Sequence, residues 1–246
     1  MAYAHLIPRF DHLPVMLVPM ARGKGGQSRA DAVTAGIRSD ILAGRLEPGR
    51  RLTFPELCAS YSVSVGVLRE ALVRLVDRGI VRAESNLGFR VMSLSDQDLV
   101  GLTAVRAHIE PGFVREAVET GSRRWEAEAV AAHHMLERTP VLQDGRLNED
   151  LVRVHAEFHL ALVSGCGNRR MMEIVGRLRD EADLYLRWYL DADQIEHQRD
   201  RIAREDRELL DAVLARDAPR AETLLREHIL RTTDAVIGTP EAAEPA

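Results

Sequence analysis

Apolar residues recur at helical spacing in three stretches near the start of the chain. The first stretch predicts a helix from Arg29 to Ala43. A second, short helix is predicted after Thr53, an N-cap residue with Glu56 as its capping-box partner three positions later. A third helix is predicted to begin at Ser64, another good N-cap, and to end at Gly79.

The pattern then changes from helical spacing to two short strands. The strands are Ile80–Arg82 and Phe89–Met92, and between them Asn86, Leu87 and Gly88 form a tip at which glycine can adopt a positive φ. Two helices joined by a tight turn and followed by a hairpin are the order of a winged helix-turn-helix. The same arrangement also occurs as a protein-interaction module, and the pattern alone leaves both possibilities open.

From Ser95 onward the pattern is helical throughout, and we expect Pro111 to interrupt and kink the first of these helices. The predicted fold class is therefore mainly α, with an N-terminal winged helix-turn-helix and a C-terminal all-α helical bundle. The predicted divisions are a flexible segment over 1–28, the winged helix-turn-helix over 29–92, the helical bundle over 95–237 and a disordered tail over 238–246.

Composition and charge narrow the functional classes. Hydrophobic residues make up 46% of the chain, which is enough for a packed core. Residues 29–92 carry ten Arg against seven Asp or Glu, whereas residues 93–246 carry twenty Arg against thirty acidic residues. This asymmetry favours contact with a polyanion through the first unit only. The two cysteines predict no disulfide framework, so we expect a cytoplasmic protein, and no stretch is apolar enough to predict contact with a membrane.

In a helix-turn-helix the second helix enters the major groove and presents its N-terminal residues to the bases. That end is formed by Ser64, Val65 and Gly66, with two arginines further along the same helix. Arginine can reach a phosphate or bind guanine in a bidentate manner, and the hairpin tip can lie on the DNA backbone. The candidate DNA contacts are Ser64, Val65, Gly66, Arg69, Arg74, Asn86 and Gly88.

Three segments of this region resemble the GntR family of bacterial regulators. They are ILAGRLEPGRRL over 41–52, VSVGVLREAL over 63–72 and LVDRGIV over 75–81. The resemblance implies a homodimeric repressor that binds a double-stranded DNA operator and responds to an effector. Two positions depart from the family pattern. Val65 stands where the family usually has arginine, and Pro55 stands where it often has a polar residue. Both departures put the usual operator preference in doubt.

A pair of histidines in the helical region is spaced for metal binding. His155 and His159 are four residues apart, so both side chains lie on one face of a helix and can share an ion. In a chain with nine histidines, such a pair also arises by chance. The pair by itself therefore leaves the metal question open.

The region also resembles the FadR-type ligand-binding domain, the FCD domain. The landmarks that match are Val105–Arg106, Ile109–Pro111, Phe158–His159, Ser164–Gly165 with Asn168, and the segment from Asp206 to His228. The resemblance implies a divalent metal held by one aspartate and three histidines.

Carried over position by position, the metal ligands are His155, His159, Asp206 and His228, with the carboxylate and one imidazole exchanged between two helices. Zinc is the expected ion, and nickel and manganese are the alternatives. His197 is a rival ligand. A polar effector pocket without metal is the alternative to the whole site.

The remaining candidates concern the effector. Arg106 either points into the cavity to bind an anion or pairs with Glu110 one helical turn away. A metal together with an arginine favours a small organic acid as the effector.

We expect His108, His133 and His134 to face solvent. A metal centre can also activate water, but no dedicated general base is evident, and the DNA-binding module favours a regulator over an enzyme. Effector binding is expected to act on the paired winged helices through the linker at residues 93–96.

Overall fold

The computed structural model describes residues 28–85, 87–143, 146–189 and 192–238. The predictions of a flexible segment before Ser28 and of a disordered tail after Gly238 therefore lie outside the described residues. Ser28 and Gly238 themselves cap the first and last helices, so neither belongs to a disordered segment. The N-terminal unit contains α1 (Arg29–Leu42), β1 (Arg51–Leu52), α2 (Phe54–Tyr61), α3 (Val65–Asp77), β2 (Val81–Glu84) and β3 (Gly88–Val91).

Side-chain caps explain where two of these helices begin. The Ser28 hydroxyl accepts from the amide of Asp31, and the Asp31 carboxylate accepts from the amide of Ser28, which completes a capping box on α1. The Ser64 hydroxyl accepts from the amide of Val67 and caps α3, as predicted. The predicted capping box on α2 is wrong. Thr53 makes no capping hydrogen bond to a backbone amide. Its hydroxyl donates instead to the Glu56 carboxylate over 3.3 Å, and Arg50 donates to the other oxygen of that carboxylate.

The wing is a three-stranded antiparallel sheet in the order β1-β3-β2. Ala83 pairs with Phe89 across the hairpin, and Gly88 has the predicted positive φ, at 92°. Strand β1 was not expected from the sequence, because its two residues are too few to show an alternating pattern. It pairs with β3 and ties the start of α2 to the wing. Asn86, at the hairpin tip, lies outside the described residues.

The C-terminal unit is a bundle of helices with one small hairpin. Its elements are α4 (Asp96–Thr120), α5 (Arg123–Arg138), β4 (Leu142–Gln143), β5 (Arg146–Leu147), α6 (Glu149–Ser164), α7 (Arg169–Tyr189), α8 (Ala192–Leu214) and α9 (Ala218–Ile237). The strands β4 and β5 pair with each other, so the expectation of helix throughout this region is wrong between α5 and α6. Among the described helices, none is both long and apolar enough to cross a membrane.

Helix α4 continues through Pro111, so the predicted interruption is also wrong. Proline has no amide hydrogen, which leaves the carbonyl of Ala107 without its usual helical partner. The guanidinium of Arg226 on α9 donates to that carbonyl. A side chain from the helix packed beside α4 thus replaces the missing donor, and the helix can extend past the proline.

Apolar residues of the bundle form one continuous core around Phe158, Leu162 and Leu225. Trp125 closes one end of this core, and its indole donates to the carbonyl of Ala161 over 2.7 Å. A side chain at Gly165 would place its Cβ 2.6 Å from that indole, so only glycine fits there. The packing holds α4, α6, α8 and α9 around a polar interior.

Candidate metal centre and nucleic-acid interface

Four predicted ligands from three helices converge inside the bundle. His155 and His159 come from α6, Asp206 from α8 and His228 from α9. Each offers one ligand atom, and these atoms all lie within 4.8 Å of one another. His197, the rival ligand, is exposed and does not belong to this cluster. His155 and His159 are four residues apart, but Asp206 and His228 are distant from them in the sequence. Only the packing of the helices brings all four residues together.

The facing atoms are arranged around a common point. The Nε2 atoms of His155 and His159 are 3.1 Å apart. The Oδ2 atom of Asp206 lies 3.5 Å from Nε2 of His155, and its Oδ1 atom lies 3.5 Å from Nε2 of His159. The ring centroid of His228 lies 5.0 Å from that of His159. Three imidazoles and one carboxylate therefore surround a small volume from several sides.

The residues of the cluster fit a divalent cation. Asp206 is 2% exposed, yet its Oδ1 atom has no hydrogen-bond partner among the described residues. A buried carboxylate oxygen without a partner carries a large desolvation cost, which a bound cation would offset. Imidazole nitrogens and a carboxylate oxygen are ligands of zinc and also suit nickel and manganese. A metal held there supplies a Lewis-acidic centre to which an oxygen ligand can bind.

The protonation states in the cluster also suit a metal. Burial lowers the pKa of His159 well below its usual value, and the nearby charge of Arg179 lowers it further. Burial raises the pKa of Asp206, but the neighbouring His155 and His228 outweigh that effect and lower it overall. The imidazole of His159 is thus neutral and the Asp206 carboxylate ionised near neutral pH, and these are the forms that bind metal.

Glu205 is a functional residue that the sequence analysis missed. Its carboxylate accepts a 2.8 Å hydrogen bond from Nδ1 of His228, which leaves Nε2 of that ring for the cluster. Arg201 and Arg231 each lie 2.9 Å from the same carboxylate. Burial raises the pKa of Glu205, but the hydrogen bond with His228 and the charge of Arg201 lower it to about 2. A carboxylate held in this way fixes the orientation of a ligating histidine.

Glu205→Gln should weaken zinc binding roughly 10- to 100-fold, the usual effect of removing an outer partner of a ligating histidine. Gln at this position loses the charge that raises the basicity of His228 and breaks the ion pairs with Arg201 and Arg231. Competition between the protein and a chelator of known affinity measures the effect. Glu208→Gln, an exposed change on the same helix, is the matched control. Equal zinc affinity in both variants would contradict the orienting role of Glu205.

A buried ion-pair group lies beside the cluster. Glu110 is 0% exposed, and its two carboxylate oxygens accept 2.7 Å hydrogen bonds from Arg106 and from Arg179. Of the two alternatives for Arg106, the structure thus contains the pair with Glu110. Burial raises the pKa of Glu110, but the charges of Arg106 and Arg179 outweigh it, so the pKa is lowered. The charges of both arginines act on His159, which places the group next to the candidate metal ligands.

The prediction that His133 faces solvent is wrong. His133 is 2% exposed, and its ring contacts the edge of Phe158 with centroids 5.0 Å apart. It follows Trp125 and Ala129 at intervals of four residues, and all three lie on the buried face of α5. That spacing of four residues could have identified His133 as a buried residue from the sequence. His108 and His134 are exposed, as predicted.

The predicted DNA-contacting end of α3 is open to solvent. Ser64, Val65 and Gly66 are exposed, and the side chain of Val65 is 52% exposed despite being apolar. The guanidinium of Arg69 is exposed and lies 4.9 Å from the ring centroid of Phe54 on α2. The contact with an aromatic face holds Arg69 beside the N-terminus of α3 without neutralising its charge.

The remaining predicted DNA contacts differ in how accessible they are to a ligand. The guanidinium of Arg74 is bound by Asp31 of α1 and by Glu70, one turn earlier on α3. Two carboxylates thus occupy it, and it serves to hold α3 against α1. Gly88 is exposed at the wing tip. The accessible set is therefore the N-terminus of α3, Arg69 and the wing.

Two family models match the chain. Residues 29–91 match the model described as bacterial regulatory proteins, gntR family, and residues 102–231 match the FCD domain. The first match covers α1–α3 and the wing, and the second covers most of the bundle. Together they span both units of the structure.

Curated relatives include the HTH-type transcriptional repressor GlaR of Escherichia coli strain K12. It is 34% identical over 201 residues, which are 79% of this chain and 89% of that protein. The uncharacterized HTH-type transcriptional regulator BphR of Paraburkholderia xenovorans is also 34% identical, over 86% of this chain and 85% of its own length.

Among solved structures, the fold is similar to that of E. coli McbR/YncC. The TM-score is 0.71 at 21% identity, over 87% of this chain and 99% of that one. A putative GntR transcriptional regulator from Rhodococcus sp. RHA1 gives a TM-score of 0.69 at 24% identity, over 87% of this chain and 100% of the other. These likenesses concern the fold.

Proposed function

The chain belongs to the GntR family of bacterial regulatory proteins and carries an FCD domain, and from this premise we propose that it is a homodimeric, FadR-type repressor whose operator affinity is set by a small organic acid at a metal-containing site. It is a transcriptional regulator and not an enzyme. In this proposal residues 29–92 bind double-stranded operator DNA in the cytoplasm, and residues 95–237 bind the effector.

The observation that carries the proposal is the buried cluster of three histidines and one aspartate. Its donor set and its unpartnered Asp206 oxygen support a resident divalent ion held by His155, His159, Asp206 and His228. Zinc fits these ligands, and nickel or manganese fits them with positions left for oxygen ligands. The exchange of Asp and His between α6 and α8, relative to the family pattern, leaves the number and the charge of the ligands unchanged.

The charges around the cluster support a carboxylate effector. Arg106 and Arg179 bring two guanidinium groups to the polar interior beside the cluster, where both pair with Glu110. A carboxylate that binds the metal through one oxygen could bind one of these guanidinium groups through the other. A second candidate is a metal-independent effector pocket with the same arginines. Elemental analysis of the purified protein separates the two.

For the operator, Arg69→Ala should weaken binding by about 1–3 kcal/mol if Arg69 contacts a base. Its exposed position beside the N-terminus of α3 supports that role. Fluorescence anisotropy with a labelled fragment from upstream of the protein's own gene measures the affinity. Arg124→Ala, which removes an exposed arginine of α5 in the helical bundle, is the matched control. If the two variants bind the fragment equally well, Arg69 does not contact the operator.

A further inference from the structure

Helix α7 contacts both the N-terminal unit and the polar interior of the bundle through residues only a few positions apart. This polar interior, which contains the four candidate ligands and Glu110, is the candidate effector cavity. Arg179 is buried and pairs with Glu110 in the polar interior of the bundle. Asp180, Glu181 and Leu184 lie among residues of the N-terminal unit. One stretch of helix of fewer than two turns thus has both units as neighbours.

Asp180 bridges two elements of the DNA-binding unit. One of its carboxylate oxygens lies 2.8 Å from Arg38 of α1. The other lies 3.3 Å from Arg78, which caps the C-terminal end of α3. Only 17% of the Asp180 side chain is exposed, so solvent screens these pairs less than it screens ordinary surface pairs. Helix α3, the recognition helix that is predicted to enter the major groove, and helix α1 are therefore both ion-paired with the same carboxylate.

Close packing reinforces this ion-pair bridge. Leu184 is buried as part of the hydrophobic core of the N-terminal unit. The carboxylate of Glu181 lies directly over Gly79, where an added Cβ would approach one oxygen to 2.0 Å. Gly79 immediately follows the end of α3 and has a φ of 73°. The end of the recognition helix is thus held against α7 by van der Waals contact as well as by charge.

The neighbouring face of the same stretch borders the polar interior of the bundle. Arg179 donates a 2.7 Å hydrogen bond to the buried Glu110. Asp183 lies between the two faces: it is buried, its carboxylate is 3.6 Å from Arg38 of α1, and the charges of His155 and Arg106 also act on it. A shift of α7 that accommodates a ligand at the cavity must therefore move Asp180 and Leu184 as well, because the helix is rigid over so short a length.

We propose that Asp180, Arg38 and Arg78 form an interdomain latch through which α7 transmits the state of the cavity to the recognition helix α3. In its first test the latch rests on the proposed function, since zinc is the ligand used. The latch is a second connection between the two units, in addition to the linker at residues 93–96 that was expected from the sequence.

Hydrogen–deuterium exchange of the full chain, with and without zinc, tests the latch. Zinc should slow amide exchange in α6, α8 and α9 of the wild type, and should also slow it roughly fivefold or more in α1 and α3. In Asp180→Ala the effect in the bundle should remain and the effect in α1 and α3 should be lost. Arg38→Gln approaches the same contact from the other unit and should behave likewise. Glu173→Ala, an exposed change on α7, should behave as the wild type does.

A second arm uses no metal. Glu110→Gln disturbs the bundle from its interior, and its general loss of stability should speed exchange in both backgrounds. The additional increase in α1 and α3, relative to the increase in α6, α8 and α9, should appear when Asp180 is present and should be absent when the change is made in Asp180→Ala. Coupling in this arm together with no effect of zinc anywhere would refute the metal site and leave the latch standing. Equal responses of α1 and α3 in the wild-type and Asp180→Ala backgrounds would overturn the latch, either in the second arm or in the first arm when zinc slows exchange in the bundle.

Discussion

Glu110→Gln should lower the free energy of unfolding by about 3–5 kcal/mol, the usual cost of removing one partner of a buried ion pair. Glu110 is completely buried, and both of its oxygens accept from guanidinium groups. A glutamine of the same size cannot balance the charges of Arg106 and Arg179, and two cations then remain in a poorly solvated interior. The loss therefore exceeds that of a single hydrogen bond.

Chemical denaturation followed by tryptophan fluorescence measures this change, because both tryptophans, Trp125 and Trp188, lie in the helical bundle. Glu119→Gln is the matched control on the same helix, where the carboxylate pairs with Arg115 in solvent, and it should change stability little. The lowered pKa of Glu110 makes its contribution complete above its ordinary pKa of about 4.5. The contribution should disappear as the pH falls through the lowered pKa of the folded state. Similar losses in both variants at neutral pH would contradict a buried ion pair.

His159→Ala should leave the purified protein without stoichiometric metal and should abolish any rise in its melting temperature on addition of zinc. His159 is almost fully buried, and its Nε2 atom faces both His155 and Asp206. A ligand that binds only the folded state stabilises it, so the loss of the ion removes that stabilisation. Elemental analysis and thermal unfolding measure the two effects.

His133→Ala is the control for loss of packing. His133 is as buried as the candidate ligands, and it contacts Phe158, but it does not belong to the cluster. We expect this variant to melt at a lower temperature because a cavity replaces the ring, yet to retain its metal and its response to zinc. Loss of metal in both variants would mean that the measurement reports general unfolding of the bundle.

Local signals in the sequence predicted most of the N-terminal unit. The N-cap at Ser64 and the positive φ at Gly88 each depend on residues a few positions apart, and both are present. Thr53 shows the limit of such a signal. Its sequence is that of a capping box, but the Glu56 carboxylate accepts from the side chains of Arg50 and Thr53 rather than from a backbone amide.

Long-range contacts could not be predicted from spacing. Pro111 usually ends a helix, but Arg226 lies more than a hundred residues later and supplies the missing donor. Arg179 meets Glu110 across 69 positions, and no periodicity links the two. Spacing alone indicated His155 and His159, but Asp206 and His228 were found only through the resemblance to the FCD domain. Glu205, which is next to Asp206, has no place in that resemblance and was missed.

We propose that the histidine and aspartate cluster is a metal site in a DNA-binding regulator. The most direct test is the titration of metal-stripped wild-type protein with zinc, followed by elemental analysis and thermal unfolding. We expect one zinc ion per chain and a raised melting temperature. A chain that retains no stoichiometric zinc, nickel or manganese, and whose melting temperature none of these ions changes, would contradict this proposal.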